Sequence, residues 1–176
     1  MIAKIIANIL FIITLGIAQI SFISGLPGAF SDLNLVLVVL VFILGFGSFN
    51  LAILWSFGIG LMLEIFFFLP FGAYLISLIF MIIVANLLLN YFFTNRSLYS
   101  FLALIALTTA AYELIINFLT WIFSTENKLF FMADSGFWLL TLKQIVLNLL
   151  LTFIIYYLVH FFGRNLKPVF LVKNKK

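Results

Sequence analysis

The chain has 176 residues, of which 66% are hydrophobic and only 8% are charged, with nine Lys or Arg against five Asp or Glu. Soluble domains carry roughly 25% charged residues, so these few charges cannot cover a water-exposed surface of this size. The composition excludes a soluble enzyme and a free nucleic-acid-binding domain, and it makes the lipid bilayer the surrounding medium. With no Cys and one His, it also excludes a cysteine-ligated or multi-histidine metal site.

Six apolar runs approach the length of a membrane span. An α-helix rises 1.5 Å per residue and the hydrocarbon is about 30 Å thick, so about 20 apolar residues are needed. We predict spans at residues 5–24, 33–49, 50–69, 71–93, 98–123 and 137–162. Ser31-Asp32 is the expected N-cap of the second helix. This second run is the shortest, and Gly45 and Gly47 interrupt it, so it spans only in a thinned or tilted setting.

The distribution of cations favours six spans with both termini in the cytoplasm. This topology places Lys4, Arg96 and the basic tail inside, and it leaves Lys128 outside. With five spans, Lys4 moves outside and Asp32 moves inside, which fits the positive-inside rule less well. We therefore expect an all-α bundle of six transmembrane helices over residues 1–163, followed by a basic cytoplasmic tail at 164–176.

Charges inside a span are costly, roughly 2.5 to 3.5 kcal/mol each, and they point to function or to specific packing. On the third predicted helix, Glu64 continues a ridge of small residues at four-residue steps: Ala52, Ser56 and Gly60. Small residues let another helix approach closely, so the ridge is expected to face protein rather than lipid.

The fifth predicted helix carries a second such face. Its members follow steps of three and four residues: Ala103, Ala106, Ala110, Glu113, Asn117 and Thr120. The residues of this face are small at one end of the helix and polar at the other. We expect the alanines to pack against a helix, and we expect Glu113 and Asn117 to belong to an intramembrane polar cluster.

Lys143, on the sixth predicted helix, has two interpretations. Its long side chain could reach the outer interface, or it could form an ion pair with Glu64 or Glu113, which lie at a similar depth. We predict that both carboxylates face the interior and that at least one lies within reach of Lys143. The whole polar set is interpreted first as helix-packing contacts, with an ion or small-molecule pathway as the alternative.

Two segments resemble the rod shape-determining protein MreD family. The first is Trp55-Ser56-Phe57-Gly58-Ile59-Gly60-Leu61-Met62-Leu63-Glu64, followed by Leu69-Pro70-Phe71-Gly72; it is similar to a family pattern of Gly-Leu-x-x-acidic before a Gly-containing turn. The second is Ser31-Asp32-Leu33-Asn34-Leu35-Val36-Leu37, which resembles the opening of the family's second helix. Here Ser31 stands where the family commonly has Pro, and Glu64 stands where Asp is commoner.

The resemblance implies a non-catalytic membrane scaffold of the bacterial cell-wall elongation complex. Its implied location is the cytoplasmic membrane, and its implied partners are MreC and associated wall-synthesis proteins, with no cofactor and no nucleic acid. Contact with a partner is expected at the outer loop, residues 124–136. Because the family's fold is related to the substrate-binding subunits of energy-coupling-factor transporters, the alternative is a vitamin-capturing subunit. An intramembrane enzyme has no support, since no nucleophile–base pair or metal set occurs in the sequence.

Overall fold

The protein is a bundle of helices. A computed structural model describes residues 2–93, 97–123 and 135–170, and these contain no strand. The elements are α1 (Ile2–Ile17), which continues as a π-helix (Ala18–Ile23), a 3₁₀-helix (Gly28–Asp32), α2 (Leu35–Phe46), α3 (Phe49–Phe66), α4 (Ala73–Tyr91), α5 (Leu98–Phe123) and α6 (Ser135–Phe170). The predictions about Arg96, Lys128, most of the 124–136 loop and the last tail residues concern positions outside these ranges.

Five of the helices are long and apolar enough to cross a membrane, and the chain is a multi-pass membrane protein. The second helix, α2, is shorter than predicted. α2 has 12 residues, about 18 Å of helix, and it ends at Phe46 rather than at 49. Gly47 closes it by donating its N–H to the Ile43 carbonyl, and Ser48 immediately caps α3 by accepting the Leu51 N–H. Gly47 thus ends the helix, whereas Gly45 lies within its last turn.

Although short, α2 lies at the centre of the bundle. It contacts each of the other five helices, and most of its side chains are buried, with Val36, Leu40 and Val41 fully enclosed. Only the face of Leu35, Val39, Ile43 and Phe46 is partly buried or exposed. A helix that is apolar all round is expected in such a position. Gly45 permits the closest contact, since a Cβ there would lie 2.5 Å from the Phe101 ring of α5.

The outer faces of the surrounding helices expose large apolar side chains. α1 is the extreme case, with Ile9, Leu10 and Phe11 more than half exposed. α5 and α6 likewise expose Leu107 and Leu150. So many exposed apolar side chains would be unfavourable in contact with water, whereas they are expected on a surface that faces lipid.

Candidate functional site

The N-terminus of α2 lies inside the bundle, and polar side chains satisfy its free N–H groups. Asn34 is the N-cap, and its Oδ1 accepts the Leu37 N–H at 2.9 Å. Gln19, from the π-helix, accepts the Leu35 N–H at 2.8 Å and donates to the Leu33 carbonyl at 3.1 Å. Unpaired N–H groups away from water are costly, so these amides make a buried helix start possible. The predicted cap at Ser31-Asp32 was wrong, because those residues form the preceding 3₁₀-helix.

Asn148 of α6 ties this helix start to the rest of the bundle. The residue is fully buried. Its Oδ1 accepts the backbone N–H of Asn34 at 3.0 Å, and its Nδ2 donates to the Thr109 hydroxyl of α5 at 3.1 Å. One side chain therefore joins α2, α5 and α6, which fixes how far each helix is rotated about its axis.

Beside this helix start lies a cavity of about 380 Å³, which we call the polar cavity. It lies at the end of the bundle where α5 ends and α6 begins. One wall is polar and comprises Asp32, Glu113, Asn117, Thr120 and Gln144. The α3–α4 junction contributes an apolar and aromatic part of the lining: Leu63, Phe67, Leu69 and Tyr74. This size and this mixture of surfaces are usual for small-molecule sites.

Glu113 and Asn117 of the predicted cluster both line the polar cavity. Asn117 Nδ2 donates to the Glu113 carboxylate at 3.1 Å and to the Glu113 carbonyl at 2.9 Å. The Gln144 side chain also hydrogen-bonds the Glu113 carboxylate. Two amide side chains, one from α5 and one from α6, therefore hydrogen-bond the Glu113 carboxylate.

Glu64 lies elsewhere. It is 9% exposed and does not line the polar cavity. Its Oε1 accepts the backbone N–H of Leu75 in α4 at 3.0 Å. The rest of its ridge is buried with it, comprising Ala52, Ser56 and Gly60. This ridge packs on neighbouring helices, and Gly60 lies directly against Leu75.

The expected pairing of Lys143 with Glu64 or Glu113 is wrong. Lys143 Nζ lies 3.2 Å from Asp32 Oδ2, and the two side chains are 43% and 30% exposed. The 3₁₀-helix packs against α6 and brings Asp32 to the lysine. Sequence spacing could not reveal this contact, because it depends on how the α1–α2 connection folds back over the bundle.

The alanine face of α5 also differs from its expected place. Ala103, Ala106 and Ala110 are only half-buried. The innermost face of the helix is formed by larger residues and two threonines: Phe101, Leu104, Ile105, Thr108, Thr109 and Tyr112. α5 packs on α2, α4 and α6. Because of these three contacts, the most buried face of α5 lies next to the alanine face and does not coincide with it.

Four residues of the site do not stand out in the sequence: Gln19, Asn34, Tyr74 and Tyr112. Gln144 and Asn148 belong, with Thr152, to a polar stripe at four-residue steps on the sixth predicted helix, to which the sequence assigns no site role. Polar amides at buried depth were the available signal, since such groups need partners. Within the described part of the chain, no three His, Cys, Asp or Glu residues come together as metal ligands. Comparisons with protein-family models, curated proteins and solved structures returned no match.

Proposed function

We propose that the chain is a non-catalytic scaffold of the bacterial cell-wall elongation complex, required for rod shape and acting by binding MreC and associated wall-synthesis proteins. The proposal rests on the resemblance to the MreD family. The resembling residues also meet in space, because Gly60 and Glu64 pack on the start of α4, directly after Pro70 and Gly72. The segment that carries the resemblance is therefore a joint between two helices.

The observation that most supports a scaffold is the use of the buried polar side chains. Gln19, Asn34, Asn148 and Glu64 each hydrogen-bond a backbone group of a helix start. Such contacts hold the helices in one arrangement and thereby give partner proteins a fixed surface to bind. This use agrees with the interpretation of the polar set as packing contacts.

For topology we propose six membrane segments, with the short α2 buried among the others, and both termini in the cytoplasm of the cell that carries it. The charge distribution supports this arrangement. Because the chain has no Cys, single Thr125→Cys and Asn174→Cys variants can be labelled on whole cells with an impermeant thiol reagent. Labelling is expected at 125 and not at 174; the reverse pattern would refute the topology.

The partner is tested by cross-linking and depletion. We expect the Thr125→Cys variant, treated with a thiol-reactive photo-cross-linker in cells, to capture MreC, with Asn174→Cys as the matched control on the opposite side. Depletion of the chain should round the cells and release MreC from its complexes, and the wild-type chain should restore both. Rod shape that survives complete loss would overturn the scaffold function.

A second candidate is supported by the polar cavity. A vitamin-capturing transporter subunit needs a ligand pocket at its outer end, and the polar cavity lies at the end that the proposed topology places outside. Loss of the chain would then abolish uptake of one vitamin and leave cell shape unchanged. Wall-elongation genes beside the coding sequence favour the scaffold, whereas transporter ATPase genes favour this second candidate.

A further inference from the structure

Glu113 lacks a cation in the part of the chain that the structure describes. The ion pair found there joins Lys143 to Asp32. Among the described residues, the partners of the Glu113 carboxylate are the amides of Asn117 and Gln144. A carboxylate held away from bulk water is stabilised far better by an opposite charge than by neutral amides alone. The polar cavity therefore has on its wall a carboxyl group that is not paired with any cation of the described residues.

Gln144 adds an acceptor to the same wall. Its Oε1 is buried and has no hydrogen-bond donor. Buried polar atoms in folded proteins nearly always have a partner, so a group without one calls for an explanation. Together with the Glu113 carboxylate, this oxygen makes the wall rich in acceptors. A ligand that suits it must bring N–H donors and positive charge.

The apolar and aromatic part of the lining determines which body the ligand can have. Phe67 and Tyr74 supply aromatic faces, and Leu63 supplies an aliphatic one. Such a lining favours an apolar or aromatic body, and aromatic faces also attract organic cations. The volume of about 380 Å³ admits a small organic molecule and excludes a folded chain segment.

We propose that the polar cavity binds a small molecule with a protonated amine on an apolar body, with the amine at Glu113 and Gln144 and the body against Phe67 and Tyr74. This binding goes beyond the scaffold function and does not depend on it. It supplies the ligand class that the transporter candidate would need. Failure of amine binding leaves the cross-linking and depletion results unaffected, so the two proposals fail separately.

The probe is benzylammonium, and its matched control is benzyl alcohol, which has the same ring and a hydroxymethyl group without the charge. The purified full chain in detergent micelles is titrated with each at constant ionic strength, and its Tm is followed. A saturable rise in Tm with benzylammonium alone is expected. No rise, or an equal rise with benzyl alcohol, would overturn the proposal.

Two variants locate the site. Glu113→Gln removes the charge while keeping the side-chain shape, and it should weaken benzylammonium binding about tenfold or more, equivalent to ~1.4 kcal/mol. Glu64→Gln removes a buried carboxylate outside the polar cavity and should keep the affinity. Equal affinity in wild type and Glu113→Gln would place the amine elsewhere and refute the assignment.

A measurement on the wild-type chain avoids dependence on the folding of the variants. Dicyclohexylcarbodiimide modifies carboxyl groups in apolar surroundings, and peptide mass spectrometry reports the extent at each position. Benzylammonium should slow modification of Glu113 and leave that of Glu64 unchanged, whereas benzyl alcohol should protect neither. Unaltered modification of Glu113 at saturating benzylammonium would overturn the proposal.

Discussion

Glu64 of α3 accepts the backbone N–H of Leu75, the third residue of α4, at 3.0 Å. The N-cap of α4 is Gly72, which has a φ of 96° and no side chain to accept a hydrogen bond. A residue on the preceding helix therefore does what a Ser or Asp at the N-cap usually does. The carboxylate also faces the positive end of the α4 dipole.

The capping role predicts different costs for two substitutions of Glu64. Glu64→Gln keeps an acceptor for the Leu75 N–H and loses only the charge–dipole term, about 0.3–1 kcal/mol. Glu64→Leu leaves that N–H unpaired and should cost about 1–3 kcal/mol more. Reversible unfolding of the purified protein in mixed micelles measures both. Equal losses for the two variants would contradict the capping role.

Close approach of α3 and α4 predicts a difference between two glycines on α3. A Cβ at Gly60 would lie 2.9 Å from the Leu75 Cα, which is backbone and cannot yield. A Cβ at Gly58 would lie 3.2 Å from an Ile12 side-chain carbon, which can move. Gly60→Ala should therefore cost about 1–3 kcal/mol of unfolding free energy, and Gly58→Ala clearly less. Comparable losses in the same unfolding assay would argue against the close contact.

The buried start of α2 predicts a graded response at Gln19. Gln19→Leu leaves the Leu35 N–H and the Leu33 carbonyl without their partner, at about 1–3 kcal/mol per unsatisfied group. Gln19→Asn keeps both an acceptor and a donor on a side chain one methylene shorter, so its loss should be smaller. Thr14→Val is the control, because the exposed Thr14 hydroxyl bonds only its own helix. If Gln19→Leu unfolds like the control, Gln19 does not hold this helix start.

The Lys143–Asp32 pair predicts a specific coupling. Because both side chains are partly exposed, a double-mutant cycle of Lys143→Met with Asp32→Asn should give about 0.2–1 kcal/mol. Lys143→Met combined with Glu113→Gln should be additive within about 0.3–0.5 kcal/mol. If the cycle with Glu113 showed coupling and the cycle with Asp32 showed none, Lys143 would pair with Glu113, as the sequence predicted.

The apolar runs in the sequence are sufficient to predict a helical membrane protein and the positions of most of its helices. Apolar runs predicted α3 to α6 to within a few residues at nearly every boundary, with the end of α6 the exception, since α6 continues to Phe170. Such runs are readable because the need to span hydrocarbon acts on consecutive residues. The spacing on α5 also placed Glu113, Asn117 and Thr120 on one side, where they line one cavity, because helical periodicity is local too.

Which polar groups contact each other depends on how the helices pack. The Asn148 side chain holds Asn34, 114 residues away along the chain, and Asp32 rather than a glutamate reaches Lys143. These contacts depend on the rotation and relative height of helices that are distant in sequence. The central position of α2 could not be predicted for the same reason. Its apolar run has the same composition whether lipid or protein surrounds the helix. A helix start inside the bundle needs side chains that accept its first N–H groups. For α2 these are the amides of Gln19 in the π-helix, Asn34 at the N-cap and Asn148 in α6.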